Sequence, residues 1–281
     1  MKTPDQLKEI VRSKYTEIAQ QNKAENMASC CGAGGCSTEV YNIMSEDYSS
    51  LGGYNVDADL ALGCGLPTQF AKIKKGDVVV DLGSGAGNDC FVARAETGET
   101  GKVIGIDFTP AMINKARENA EKLHFHNVEF RQGDIEHLPI TANAADVIIS
   151  NCVLNLVPDK FAVIKEIARV LRPGGHFSIS DVVLEGLLPE GLLKDAEIYA
   201  GCIAGAIQKN IYLEMILANG FENIIIQKEK PIEIPDDILI NYLSPIEMES
   251  FKTGDTGIFS ITVYAEKPLI KNTCTPGGGC C

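Results

Sequence analysis

Residues 76–87, GDVVVDLGSGAG, constrain the fold more than any other stretch of this chain. An apolar, β-branched run that ends directly on glycines is the pattern of a parallel strand buried on both faces and turning sharply into a helix. That helix is expected to begin near Asn88-Asp89, and KVIGID (102–107) follows it as a second strand. Thr109-Pro110 then offers an N-cap with proline at the first helical position, and Ile113, Ala116, Ala120 and Leu123 fall on one helix face. NVEFRQGD and ADVIIS read as the third and fourth strands. Pro158-Asp159 opens a helix whose Phe161, Ile164, Ala168 and Leu171 make a second stripe, RPGG closes it, and HFSISDVV is the fifth strand. The alternation predicts an α/β fold with a mostly parallel sheet covered by helices on both faces.

Beyond Leu184 the pattern weakens to helices near 189–206 and 211–219, then two β-like runs, ENIIIQKE and GIFSITVYAEK, able to extend the same sheet. Upstream lies a polar helix near 5–24 and a glycine-rich loop, ASCCGAGGCS, with a further helix expected from Thr38. The expected division is an N-terminal helix and Cys-rich loop over 1–50, an α/β domain over 51–184, an α+β region over 185–268 and a flexible Cys-rich tail over 269–281.

The net charge of -13 repels polyphosphate and argues against nucleic acid as a partner. No run reaches the roughly 18 apolar residues of a membrane span, and the first residues lack a signal-peptide core, so no membrane role and a cytoplasmic location are expected. In that compartment the ten cysteines are read as ligands, redox thiols or core filler before structural disulfides.

The loop after the first strand spaces its glycines as G-x-G-x-G, with Gly83, Ser84, Gly85 and Gly87 following Asp81. A dinucleotide site uses G-x-G-x-x-G to bring a pyrophosphate to a helix N-terminus, and an acid at the strand end discourages phosphate but suits an amine. Asp107, at the end of the second strand, stands where a carboxylate accepts from ribose hydroxyls. Met112 is placed to pack its sulfur on an adenine face, and Asp134 after the third strand to accept from the adenine amino group. An adenosine carrying a cationic amino acid fits this set, which is S-adenosylmethionine. These motifs, with LRPGG before the fifth strand, resemble the class I S-adenosylmethionine-dependent methyltransferases across roughly 60–185. The resemblance implies their Rossmann-like, seven-stranded sheet.

Ligands of open α/β sheets bind beyond the carboxyl ends of the strands. Ser150-Asn151-Cys152 sits there, after the fourth strand, with Asn151 a candidate cofactor contact and Cys152 expected to face its reactive end. Cys64, in LGCGLP, is flanked by glycines expected to expose its thiol, and Cys202, in AGCIAGA, belongs to the segment after strand five. Cys90 reads as core filler. Thiolates select soft ions, and zinc would favour paired C-x-x-C spacings that are absent here. Three thiolates complete the coordination of a trivalent metalloid such as arsenite.

LGCGLP, DLGSGAGNDCFV, GIDFTPAMI, SNCVLNLVPDK, VLRPGG, SDV and GCIAGA occur in the order found in arsenite S-adenosylmethionine methyltransferases, and the chain resembles that family over roughly 50–220. The resemblance implies that Cys64, Cys152 and Cys202 bind arsenic, and that Asp81, Gly83, Gly85, Asp107, Met112 and Ile135 belong to the cofactor site. It also implies a redox cysteine in the N-terminal segment, matched by Cys36 on distance from Cys64, with Cys30 and Cys31 as competing registers. Arsenite or thiol-bound arsenite would exchange its ligands for the thiolates, the arsenic lone pair would accept the methyl group without a general base, and thioredoxin or glutathione would restore oxidised cysteines. Cys274, Cys280 and Cys281, with Cys30 and Cys31, read as a tethered capture or electron-shuttling device. Two other readings are a quinone-type C- or O-methyltransferase, which needs a base among His124, His126, His137 and His176, and a thiol-rich metalloid-binding protein on the same fold.

Overall fold

In a computed structural model, which describes residues 3–21, 24, 26, 44–194, 203, 205–254 and 256–269, the VVVDL run is a strand buried over Val79, Val80 and Leu82. Cys30, Cys31, Cys36, Cys202, Cys274, Cys280 and Cys281 lie outside the described residues, as do the helix expected from Thr38 and part of that expected over 189–206. In chain order the elements are α1 (Pro4–Ala19), α2 (Pro67–Phe70), β1 (Val78–Leu82), α3 (Asn88–Thr97), β2 (Lys102–Asp107), α4 (Pro110–Lys122), β3 (Val128–Gln132) and β4 (Ala145–Asn151). A single 3-10 turn, Leu154–Leu156, leads to α5 (Lys160–Val170), β5 (Leu171–Glu185), α6 (Glu190–Lys194) and β6 (Ile207–Gln208). They are followed by α7 (Lys209–Ala218), β7 (Glu222–Pro231), α8 (Asp236–Leu239), α9 (Pro245–Thr253) and β8 (Gly257–Glu266).

The sheet has eight strands, seven of them along the path β3-β2-β1-β4-β5-β8-β7, with the two-residue β6 pairing β5 as the eighth. Strands β1 to β5 pair in parallel, and β8 runs antiparallel to both β5 and β7, so the two C-terminal β-like runs do extend the same sheet. The order reverses between β1 and β4, which opens a crevice beyond their carboxyl ends.

Alternation along β1 divides the interior: Val79 packs with Phe91, Ile113 and Ala116 of α3 and α4, while Val80 and Leu82 pack with Ile164 and Ile167 of α5. Each fully buried aliphatic side chain contributes roughly 1.5–3 kcal/mol, so the sheet is held from both faces. Asp159 caps α5, its carboxylate accepting from the Ala162 N–H at 3.0 Å.

Two local expectations are corrected. The buried face of α5 is Val163, Ile164, Ile167 and Val170, whereas Phe161 is 50% exposed. The helix carries apolar residues on most of its circumference, and the sheet takes the stripe of branched aliphatics, which packs more densely than one containing Ala168. Nor does RPGG separate α5 from the next strand. β5 begins at Leu171, opposite Ala145, and pairing resumes only at His176 opposite Val147, so Arg172 to Gly175 form a bulge. Pro173 has no N–H to give the ladder, which makes an interruption there cheap. Among the described residues no helix is long and apolar enough to cross a membrane.

Candidate active site

A cleft enclosing about 1050 Å³ of empty space opens beyond the carboxyl ends of β1 to β4, lined by Asp81, Asp107, Gly133 to Ile135 and Asn151-Cys152 from the ends of those strands. Its floor is the turn after β1. The Gly83 and Ser84 N–H groups donate to the Ile106 carbonyl at 2.7 and 2.9 Å, and the Gly85 N–H to Asp107 Oδ2 at 3.0 Å. At Gly85, where φ is +51°, an added Cβ would meet nothing within 4 Å, so the glycine leaves the cleft open at that point. Gly87 does not line the cleft: a Cβ there would meet the Phe130 and Phe91 rings, and its role is to let α3 pack closely.

The floor is acidic and poorly solvated. Burial pushes Asp81 well above the ordinary carboxylate range, helped by the charge of Asp89, while the Cys90 thiol, donating to Asp81 Oδ2 at 3.2 Å, partly offsets the shift. Burial raises Asp89 to about 6 and raises Asp107, whose oxygens accept from the Thr109 and Gly85 N–H groups at 2.8 and 3.0 Å. Ser84 Oγ, Asn88 Oδ1 and Asp89 Oδ1 line this region as buried polar atoms with no partner among the described residues. Clustered carboxylates that resist ionisation, beside unpartnered polar atoms, are the surroundings a cationic, hydroxylated ligand relieves. The residues present therefore fit S-adenosylmethionine: Asp81 and Asp89 for its ammonium group, Asp107 for the ribose hydroxyls, and Ile135 and Phe108 as apolar walls.

Two expected cofactor contacts are placed differently from their reading in the sequence. Met112 does not line the cleft; it is fully buried in the core between α4 and the sheet, because α4 turns that face toward Val79 and Phe91. Asp134 does line the cleft, but Lys8 Nζ contacts its Oδ2 at 2.6 Å and the Glu136 N–H donates to its Oδ1 at 3.0 Å. An adenine amino group would share Asp134 with Lys8 and the Glu136 N–H, as ribose hydroxyls would share Asp107 with the Gly85 and Thr109 N–H groups.

Lys8 comes from α1, which contributes Val11 and Tyr15 to the same wall, and Arg12 stands 5.5 Å over the Phe108 ring. The first helix is thus part of the site, which its polar sequence did not announce. Tyr48, Asp59 and Asp89 were likewise missed. Only Asp89 had a readable signal, an acid in the first turn of the helix that follows the glycine loop.

Cys152 lines the cleft just past β4 and adopts a left-handed backbone, with φ of +60°, secured by its N–H donating to the Ser180 carbonyl at 2.7 Å. A non-glycine residue in that region costs on the order of 1 kcal/mol and is held by its surroundings. Cys64 packs in the same apolar cluster with Val182 and Ile258. Its N–H donates to Asn151 Oδ1 at 3.0 Å, and Ser260 Oγ donates to its carbonyl oxygen.

The flanking glycines do not expose the Cys64 thiol, since the residue is 1% exposed. They let the turn come close to the protein: a Cβ on Gly63 would stand 2.6 Å from Asn151 Nδ2, and one on Gly65 would stand 2.5 Å from Ser180 Oγ. Behind the thiols Asp181 is fully buried and raised to about 7 by desolvation, beside the Tyr212 hydroxyl, whose ionisation both Cys64 and Cys152 oppose.

Cys64, Cys90 and Cys152 form no disulfide, and among the described residues no three His, Cys, Asp or Glu side chains are arranged to hold a metal ion. Two of the three expected arsenic thiols, Cys64 and Cys152, share one apolar cluster, and Cys152 lines the cleft. The third, Cys202, lies outside the described residues. None of the four histidines lines the cleft, and the His176 ring instead contacts the Ala71 carbonyl at 2.6 Å.

Residues 73–220 match the model of a methyltransferase domain family. The chain is 42% identical to the arsenite methyltransferase of Halobacterium salinarum, over 94% of this chain and 68% of that one. It is 31% identical to the arsenite methyltransferase of Aquipseudomonas alcaligenes, over 90% and 70%. Among solved structures, an arsenic(III) S-adenosylmethionine methyltransferase from Chlamydomonas reinhardtii superposes with a TM-score of 0.63 at 34% identity, covering 74% of this chain and 68% of that one. An acidic cleft fit for S-adenosylmethionine, one thiol lining it with a second in the same apolar cluster, and relatives similar along most of the chain lead to one conclusion: this chain belongs to the arsenite methyltransferases.

Proposed function

We propose that the chain methylates trivalent arsenic held by the thiolates of Cys64, Cys152 and Cys202, with S-adenosylmethionine seated over Asp81, Asp89 and Asp107. The observation that carries this reading is the convergence of Cys64 and Cys152, from segments 88 positions apart, in one cluster at the cleft where Cys152 lines the wall. S-adenosylmethionine supplies a methyl group activated on a sulfonium sulfur. The protein supplies position: Asn151 and Ser260 fix the Cys64 backbone and Ser180 fixes that of Cys152, so the metalloid ligands are preorganised. Excluding water matters as much, because arsenite binds the thiols by releasing its hydroxyls as water, and a dry pocket favours that exchange. Cys36, or its neighbour Cys30 or Cys31, serves as the redox thiol, with thioredoxin or glutathione as reductant in a cytoplasmic setting. Residues 51–184, with α1 and Tyr48, bind the cofactor, 185–268 complete the arsenic side, and the cysteines of 269–281 capture substrate.

The test is a competition. Reduced full-length protein is incubated with methyl-labelled S-adenosylmethionine, arsenite and a demethylated quinol, and the products are separated with arsenic-specific detection. The label is expected in methylated arsenicals. Label in the quinol and none on arsenic would overturn the proposal.

A further inference from the structure

Asn151 joins the acidic floor to the thiol turn through hydrogen bonds at both ends of its amide. Its Oδ1 accepts from the Cys64 N–H at 3.0 Å. Its Nδ2 donates to the Tyr48 hydroxyl at 2.6 Å and the Gly65 carbonyl at 2.8 Å, and stands 3.3 Å from Asp89 Oδ2. Because an amide is planar, whatever orients Nδ2 orients Oδ1, and with it the backbone of Cys64.

Tyr48 makes this connection switchable. The hydroxyl has one hydrogen and two acceptors in reach, Asp89 Oδ2 at 2.9 Å and the Gly65 carbonyl at 3.2 Å. The first belongs to the cofactor floor and the second to the turn that carries Cys64. Asp89 Oδ1, the other oxygen of the same carboxylate, is buried with no hydrogen-bond partner among the described residues, on a side chain that lines the cleft. At pH below about 6, where Asp89 holds a proton, a cationic group arriving there ionises it, and an ionised carboxylate draws the Tyr48 hydrogen more strongly than a peptide carbonyl does. A hydroxyl that donates is also a better acceptor, so Asn151 Nδ2 is held more firmly in turn. Gly63 keeps the amide within this reach, since a Cβ there would collide with it.

We propose that Tyr48 and Asn151 are positioning residues that couple the two halves of the site: cofactor bound on Asp89 fixes the Cys64 turn, and metalloid bound at Cys64 tightens the cofactor. The inference rests on the function proposed above. The device makes a loaded cofactor cleft the better trap for arsenite, which favours productive ternary complexes over idle capture of the metalloid.

The experiment measures arsenite binding to the reduced full chain by equilibrium dialysis at about pH 5, where Asp89 is protonated in the free protein, with and without saturating S-adenosylhomocysteine, which keeps the ammonium group. In the unmodified protein S-adenosylhomocysteine should tighten arsenite about fivefold or more, and arsenite should tighten S-adenosylhomocysteine by the same factor. Tyr48→Phe should leave each ligand's separate affinity within about tenfold, while the coupling falls below about twofold. Asn151→Ala should also abolish coupling and, in addition, weaken arsenite alone. A merely structural role for Tyr48 would shift both affinities and leave their ratio unchanged. Coupling retained in Tyr48→Phe, or absent in the unmodified protein, overturns the inference and leaves the proposed function standing. Failure of the unmodified protein to bind arsenite with or without S-adenosylhomocysteine overturns both.

Discussion

Two glycine-rich turns border the site, and they use glycine for opposite purposes. In the turn after β1, Gly85 has open space where a Cβ would project, and that space belongs to the ligand. In the turn around Cys64, the volume that side chains on Gly63 and Gly65 would need is already filled by Asn151 and Ser180. At Gly85 the first turn is left open for something that arrives, while its Gly83 and Gly87 pack against Val153 and Phe130; both glycines of the second turn serve the protein's own grip on a thiol. Charge follows the same division: Asp81, Asp89 and Asp107 crowd the cofactor floor, whereas Cys64 and Cys152 sit among Leu156, Val182 and Leu184. One half of the site suits a cation, and the other surrounds two thiols with apolar side chains.

The largest test of this division is Cys152→Ser, which should lower arsenite methylation by about 100-fold or more with S-adenosylhomocysteine affinity little changed. Single-turnover kinetics and calorimetric titration would separate the two, and a parallel loss of both would erase the distinction between the halves.

Titration distinguishes the halves next. Asp89 is raised to about 6 and Asp181 to about 7, so each keeps a proton in the folded chain that the unfolded chain has lost. The folded state is therefore favoured at low pH, and this contribution falls away as pH rises from about 4 to about 6 for Asp89 and about 7 for Asp181. Asp181→Asn should thus stabilise the protein at pH 8 by about 4 kcal/mol and flatten the fall. Saturating S-adenosylhomocysteine should remove the part due to Asp89 and leave that of Asp181, as thermal melts across pH would show.

Gly63→Ala should cost about 2 kcal/mol in stability through collision with Asn151 and an unfavourable φ of +99°. Its measurable mark is a lower denaturation midpoint together with weaker arsenite binding. The smallest effect is expected of Gly85→Ala, about 1 kcal/mol, appearing chiefly as weaker cofactor binding. If it instead weakened arsenite alone, the assignment of the two turns would be reversed.

The cofactor half was legible because its determinants are local. Asp81, the glycines and Asp107 stand at the ends of strands that announce themselves by apolar runs, and the parallel topology carries those ends to one edge. Met112 was misread for a related reason: helical spacing says that a residue lies on α4, while the neighbouring elements decide whether its face meets the ligand or Val79 and Phe91. Phe161 failed in the same way, through the choice between two apolar stripes.

By itself the sequence determined the α/β alternation, the acidic glycine turn and the candidacy of Cys64 and Cys152, since each depends on residue type and short spacing. Only the tertiary structure decided that α1 walls the cleft through Lys8, that Tyr48 reaches Asp89, and that Asn151 holds Cys64. Those contacts join residues 41 to 126 positions apart. Their partners are selected by how sheet and helices pack, which no local pattern encodes.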